Sequence, residues 1–162
     1  MKKVGLIMGS DSDLPIVEKA VAVLKELGIE YEAHVYSAHR TPDQVEDFTA
    51  RAYDDGFGAI ICFAGMAAHL AGAVAARTVL PVIGVPCKSS ALDGMDALLS
   101  TVQMPSGIPV ATVAINGGSN AAILAAEILA VYDATLYEKL KSKRKCDAEK
   151  VLSKDAELLG RL

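Results

Sequence analysis

Five consecutive apolar residues, "AIICF" at Ala59 to Phe63, leave no polar face for water. A strand of this kind persists only when both of its faces are covered, which is the setting of a central strand in a parallel sheet. The surrounding pattern agrees. Lys3 to Met8, Glu30 to Tyr36, Val82 to Val85 and Val110 to Ile115 read as further strands, separated by stretches with helical spacing. Leu14 to Leu27 places Ile16, Val17, Ala20, Val21, Leu24 and Leu27 on one helical face before Gly28 stops it. Thr41 is an N-cap and Pro42 a first-turn residue for a second helix ending near Gly56. Helices are also expected over His69–Thr78, Asp93–Gln103 and Asn120–Ala130. Strands alternating with helices predict an α/β fold: a three-layer αβα sandwich with a doubly wound parallel sheet of flavodoxin-like order.

One domain of this type fits a chain of 162 residues. We place the α/β domain at 1–132 and a C-terminal helical extension at 133–162. The extension is highly charged ("EKLKSKRKCDAEK") and carries only a thin apolar line at Leu136, Leu140, Ala148 and Leu152. It reads either as a solvated terminal helix or as one whose narrow face is covered by a neighbouring subunit.

A net charge of −4 argues against a general nucleic-acid or anionic-membrane binder. Cys62, Cys87 and Cys146 are odd in number and widely spaced, which suggests neither a disulfide framework nor a thiolate metal site and fits a reducing cytoplasm. The N-terminal apolar run is too short for an export signal, and the Ala- and Gly-rich stretch 58–76, interrupted by His69, divides into a strand and a helix rather than spanning a membrane. The histidine spacings predict no metal site.

In a parallel sheet the segments following each strand share one rim, where open α/β folds bind ligands. Here those segments are "GSDSD" (9–13), "SAHRT" (37–41), "AGMAAH" (64–69) and "PCKSSALDG" (86–94). Gly9 allows close backbone approach, and Ser10, Ser12 and Asp13 stand at a helix start suited to an anion, although Ser12 or Asp13 fits a plain helix cap equally well. Arg40 supplies a planar fork for phosphate, with Ser37 and Thr41 hydroxyls beside it. His39 suits proton transfer near neutral pH, or is a surface loop histidine. The small residues Ala64, Gly65, Ala67 and Ala68 let backbone come close to a planar or carboxylated group, or serve tight helix-on-sheet packing, with His69 a cap. His34, on a strand, is expected to face away from the rim.

Taken together, "MGSDSD", "SAHRTP", "AGMAAHLAG", "GVP" and "QMPSGIPV" closely resemble the purine-biosynthetic N5-carboxyaminoimidazole ribonucleotide mutases, over Val4 to Tyr132. Relatives that carboxylate aminoimidazole ribonucleotide directly tend to carry Lys after "SAH" and to lack the "AAHL" histidine. Met66 departs from the usual Gly. The resemblance implies a cofactor-free move of a carboxyl group from the exocyclic nitrogen to C4 of the imidazole. It assigns Ser10 and Asp13 to the ribose-phosphate part, and Ser12, Ser37 and Arg40 to the phosphate. By the same resemblance His39 is the acid/base, while His69 and the Ala64, Gly65, Ala67 and Ala68 backbone line the carboxylate or carbon dioxide site. A homo-octamer in the cytoplasm, with a small-molecule ribonucleotide as substrate, is implied as well. Two rivals remain: direct aminoimidazole ribonucleotide carboxylation with carbon dioxide, and a non-catalytic nucleotide-binding module.

Overall fold

The computed structural model describes residues 2–161. Five strands form one sheet of order β2-β1-β3-β4-β5, every pair parallel. They are β1 (Lys3–Met8), β2 (Tyr31–Val35), β3 (Phe57–Gly65), β4 (Val82–Cys87) and β5 (Ala111–Thr112). The helices are α1 (Leu14–Leu27), α2 (Pro42–Arg51), α3 (Leu70–Ala75), α4 (Met95–Val102), α5 (Gly118–Ala130) and α6 (Ala134–Leu159). This is the flavodoxin-like sandwich expected, with a C-terminal helix added.

The period-2 alternation of the central strands divides the core into two layers. Val4, Leu6, Ala59, Ile61 and Phe63 join the layer under α1, α5 and the start of α6. Ile7, Ile60 and Cys62 face the other way, toward Val45 and Phe48 of α2 and Leu70, Ala71 and Val74 of α3. Each large buried side chain contributes roughly 1.5–3 kcal/mol relative to exposure. Gly5 is required by this packing, because a Cβ there would lie 2.8 Å from the Phe48 ring.

Three elements differ from expectation at their ends. The second helix stops at Arg51 and reaches Gly56 through a turn, and the third is shorter than its small-residue pattern implied. The fifth strand shrinks to two residues. Gly84 and Pro86 of β4 both accept on the β5 side, from Val113 N (3.0 Å) and Asn116 N (2.8 Å). Pro86 has no N–H to return on that side, so the ladder cannot continue.

The buried anchoring of helix α6 is confined to its first turns. Asp133 caps it by accepting from Leu136 N (2.9 Å), Leu136 and Leu140 are buried, and Lys139 Nζ donates to Leu27 O at the end of α1 (2.8 Å). Beyond Leu140 the attachments are ion pairs such as Lys143–Glu26 (3.1 Å), while Ala148 and Leu152 are exposed. No helix among the described residues is long and apolar enough to cross a membrane.

Candidate active site at the carboxyl rim of the sheet

The four rim segments converge on one cleft of about 680 Å³. Of the residues singled out from sequence, Ser10, Ser12, Asp13, Ser37, His39, Arg40, Ala64, Gly65, Ala67 and His69 all line it. Ala68 does not. It is buried, because the chain turns through a left-handed conformation at Met66 (φ 54°) and carries Ala68 beneath the surface. Other grooves exist, one between α5 and α6 and one near Tyr53 and Val79, but neither is lined by a histidine or by the rim segments.

The first loop is shaped by its own hydroxyls. Ser10 Oγ accepts from Ser12 N (3.3 Å) and from Ser12 Oγ (3.0 Å), capping the short 3-10 turn Asp11–Asp13 that leads into α1. Ser10 is therefore the cap of this turn, while Asp13 stands at the N-cap position of α1 without a side-chain cap hydrogen bond. That carboxyl is only 8% exposed. Burial raises its pKa above the ordinary aspartate value, while hydrogen bonds from the Cys87 thiol and the Ser10 backbone pull it down.

The second loop is closed by Thr41. Its hydroxyl accepts from Ser37 N (2.8 Å) and donates to Ser37 O (3.2 Å), so it ties residues 37–41 into a loop instead of capping α2. Ser37 Oγ accepts in turn from Arg40 N (3.2 Å). Arg40 Nη2 donates to Gly9 O (2.7 Å), joining the first two loops. Among the described residues no carboxylate pairs with Arg40, so its charge is uncompensated at the cleft.

The tertiary fold then does what sequence could not show: it brings His39 Nε2 within 3.0 Å of His69 Nδ1, the rings nearly perpendicular. His69 occupies the N-cap position of α3 without a side-chain cap hydrogen bond, since Nδ1 is committed to His39. One ring must donate and the other accept, so the pair is a ready path for a single proton. His34 lies outside the cleft, bonded to Glu32 (2.8 Å) and stacked on Tyr36. Among the described residues no group of three or more His, Cys, Asp or Glu is arranged to hold a metal.

Lys88 and Ser89 also line the cleft but were not selected from sequence. Their segment was recognised as part of the rim; what marked them was only their position after β4.

The chain matches a family model described as AIR carboxylase over residues 3–150. It is 56% identical over 144 residues to the N5-carboxyaminoimidazole ribonucleotide mutase of Pyrococcus abyssi, covering 89% of this chain and 83% of that one. To the mutase of the same name from Thermotoga maritima it is 52% identical over 154 residues, covering 95% and 90%. The phosphoribosylaminoimidazole carboxylase of Saccharomyces cerevisiae is 52% identical over 155 residues, covering 96% of this chain but 27% of the yeast one. Among solved structures, the crystal structure of Treponema denticola PurE superposes with a TM-score of 0.87 at 35% identity, covering 96% of this chain and 97% of that one.

Proposed function

This chain belongs to the AIR carboxylase family, and we propose that it is a mutase of purine biosynthesis that interconverts N5-carboxyaminoimidazole ribonucleotide and 4-carboxyaminoimidazole ribonucleotide. The observation that carries this reading is the His39–His69 contact of 3.0 Å in a cleft whose Arg40 has no carboxylate partner.

The chemistry needs one proton lent and returned. Protonating the exocyclic nitrogen of the carbamate-like substrate breaks its bond to the carboxyl carbon and releases carbon dioxide. The C4 carbon then attacks the carbon dioxide, and C4 loses its proton to the base that gave the first one. His39 fills both roles, and His69 orients its ring and can exchange a proton with it. The balance closes without ATP, metal or redox cofactor. Ala64, Gly65 and Ala67 present little bulk, and their part is to hold carbon dioxide beside C4 until it is captured. Ser10, Ser12, Ser37 and Arg40 bind the phosphate, and Asp13 accepts from ribose hydroxyls. Arg40 sits where direct carboxylases tend to carry Lys, which favours the mutase over that rival.

The assembly we infer is a homo-octamer in the cytoplasm. Val79 is fully exposed and Tyr132 is 96% exposed, and Val151, Leu152 and Leu159 lie uncovered on α6, whose far half a neighbouring subunit would pack against. Light scattering at micromolar concentration should give eight times the chain mass; a monomer refutes the assembly.

The deciding experiment is incubation with N5-carboxyaminoimidazole ribonucleotide, without ATP or bicarbonate. Formation of the C4-carboxylated isomer is expected. Turnover only of aminoimidazole ribonucleotide with bicarbonate would make the chain a direct carboxylase, and binding with no turnover would make it a ribonucleotide-binding module.

A further inference from the structure

We propose that Lys88 is a second oxyanion-binding residue of the cleft, held in reserve by Asp93 and released to the substrate on binding. This inference rests on the mutase reading above. Arg40 and Lys88 are the permanent cations lining the cleft. They stand at its two sides, after β2 and β4, with β1 and β3 between them in the sheet. Three strand spacings separate those positions, roughly 14 Å. A carboxylated ribonucleotide carries its own two oxyanions, phosphate and carboxylate, at opposite ends. With phosphate at Arg40, the carboxylate end points toward β3 and β4.

The local structure fixes the base of Lys88 and frees its tip. Lys88 N donates to Asn116 Oδ1 (2.8 Å), and Asn116 is itself held by Pro86 O (2.8 Å). Gly94, at φ 91°, folds back so closely that a Cβ there would lie 3.2 Å from the Lys88 Cα. The two ends of the 88–94 loop are thus pinned together. The Nζ, by contrast, has one partner, Asp93 Oδ1 at 2.9 Å, and the pair is exposed, 56% for Lys88 and 81% for Asp93. An exposed ion pair contributes little net stability in water, so exchanging Asp93 for a substrate oxyanion costs little. A contact made to the carboxylate of substrate and product, and weakened while that carbon is neutral carbon dioxide, serves affinity and does not speed the chemical step.

The test is equilibrium binding of 4-carboxyaminoimidazole ribonucleotide and of aminoimidazole ribonucleotide, which lacks the carboxylate, by calorimetry, with steady-state kinetics alongside. Lys88→Met should weaken binding of the carboxylated ligand about tenfold and raise KM similarly without lowering kcat, with the uncarboxylated ligand unaffected. Equal losses on both ligands would keep Lys88 as an oxyanion contact and move it to the phosphate. Asp93→Asn, tolerated at φ 53°, removes the competing charge and should tighten binding several-fold. Unchanged affinity for both ligands in Lys88→Met overturns the proposal, and a loss there without a gain in Asp93→Asn overturns the exchange while keeping the contact. A parent chain that binds neither ribonucleotide overturns the mutase reading and this inference with it.

Discussion

At the amino ends of the strands the chain turns through positive φ on glycines, Gly28, Gly56 and Gly107, whereas at the carboxyl ends it does so on Met66, Asp93 and Asn116, with Gly94 beside them. Glycine takes that conformation freely, and a residue with a Cβ takes it at a cost of about 1 kcal/mol or more. One end of the sheet therefore uses turns that cost little. The other keeps strained residues because their side chains have work: Asn116 holds the Lys88 amide, Asp93 holds its ammonium, and Met66 lines the cleft. Strain marks the edge that carries the candidate active site.

The largest effect belongs to the site edge. His39→Asn should slow interconversion by ~10²–10⁴-fold while ribonucleotide affinity by calorimetry changes little, and full turnover in that chain would remove His39 from the mechanism. Arg40→Glu should weaken ribonucleotide binding by roughly 10–100-fold, since a charge-assisted hydrogen bond to phosphate becomes a repulsion. Asp13→Asn should cost about tenfold in affinity and yet stabilise the fold. The raised pKa of Asp13 means that the folded chain binds the proton more tightly than the unfolded one, so its stability falls as pH rises from the ordinary aspartate value through the folded one. Removing the carboxyl lifts that penalty at neutral pH and gains nothing in acid below the ordinary value; denaturation at both pH values checks the sign.

On the opposite edge, Gly56→Ala meets no atom within 4 Å but must adopt φ 85°. That angle lies outside the small left-handed window open to residues with a Cβ, so the strain exceeds what a less free unfolded chain returns, and the change should destabilise by about 1 kcal/mol, read as a Tm lower by a few degrees, with turnover untouched. A loss of turnover there would break the contrast between the edges. The smallest effect is expected at Met66→Gly. Relief of about 1 kcal/mol of strain is opposed by a similar gain in unfolded-chain entropy, so calorimetric Tm should move by a degree or two at most.

Much of the fold was written locally. The run "AIICF" required a doubly covered strand, Gly28 ended α1 as a left-handed cap, and the parallel arrangement then put the four polar segments on one rim. What escaped was non-local. The His39–His69 contact joins rings 30 residues apart in sequence, and Lys88 gains its setting from Asn116, 28 residues away. Thr41 read as a cap because cap spacing is a local signal, yet its hydroxyl found a nearer partner in Ser37. Ala68 read as a lining residue because nothing in "AGMAAH" announces that Met66 turns the chain under. The fifth strand was overlong because Val110 to Ile115 is apolar enough to be a strand, while the residue that limits it, Pro86, lies on its neighbour.

Pro86 has a second consequence. An open sheet offers its outermost strands as templates on which another chain could grow, and long, flat, apolar edges are the ones that aggregate. Here one edge is only Ala111–Thr112, cut short by the missing amide. The other, β2, is guarded by the Glu32 cluster with Lys3, His34 and Arg51, in which hydrogen bonds from His34 and Arg51 hold the Glu32 pKa down to about 2, so it stays charged far into acid. The proline that trims the sheet beside the candidate cleft also leaves a passing chain almost nothing to pair with.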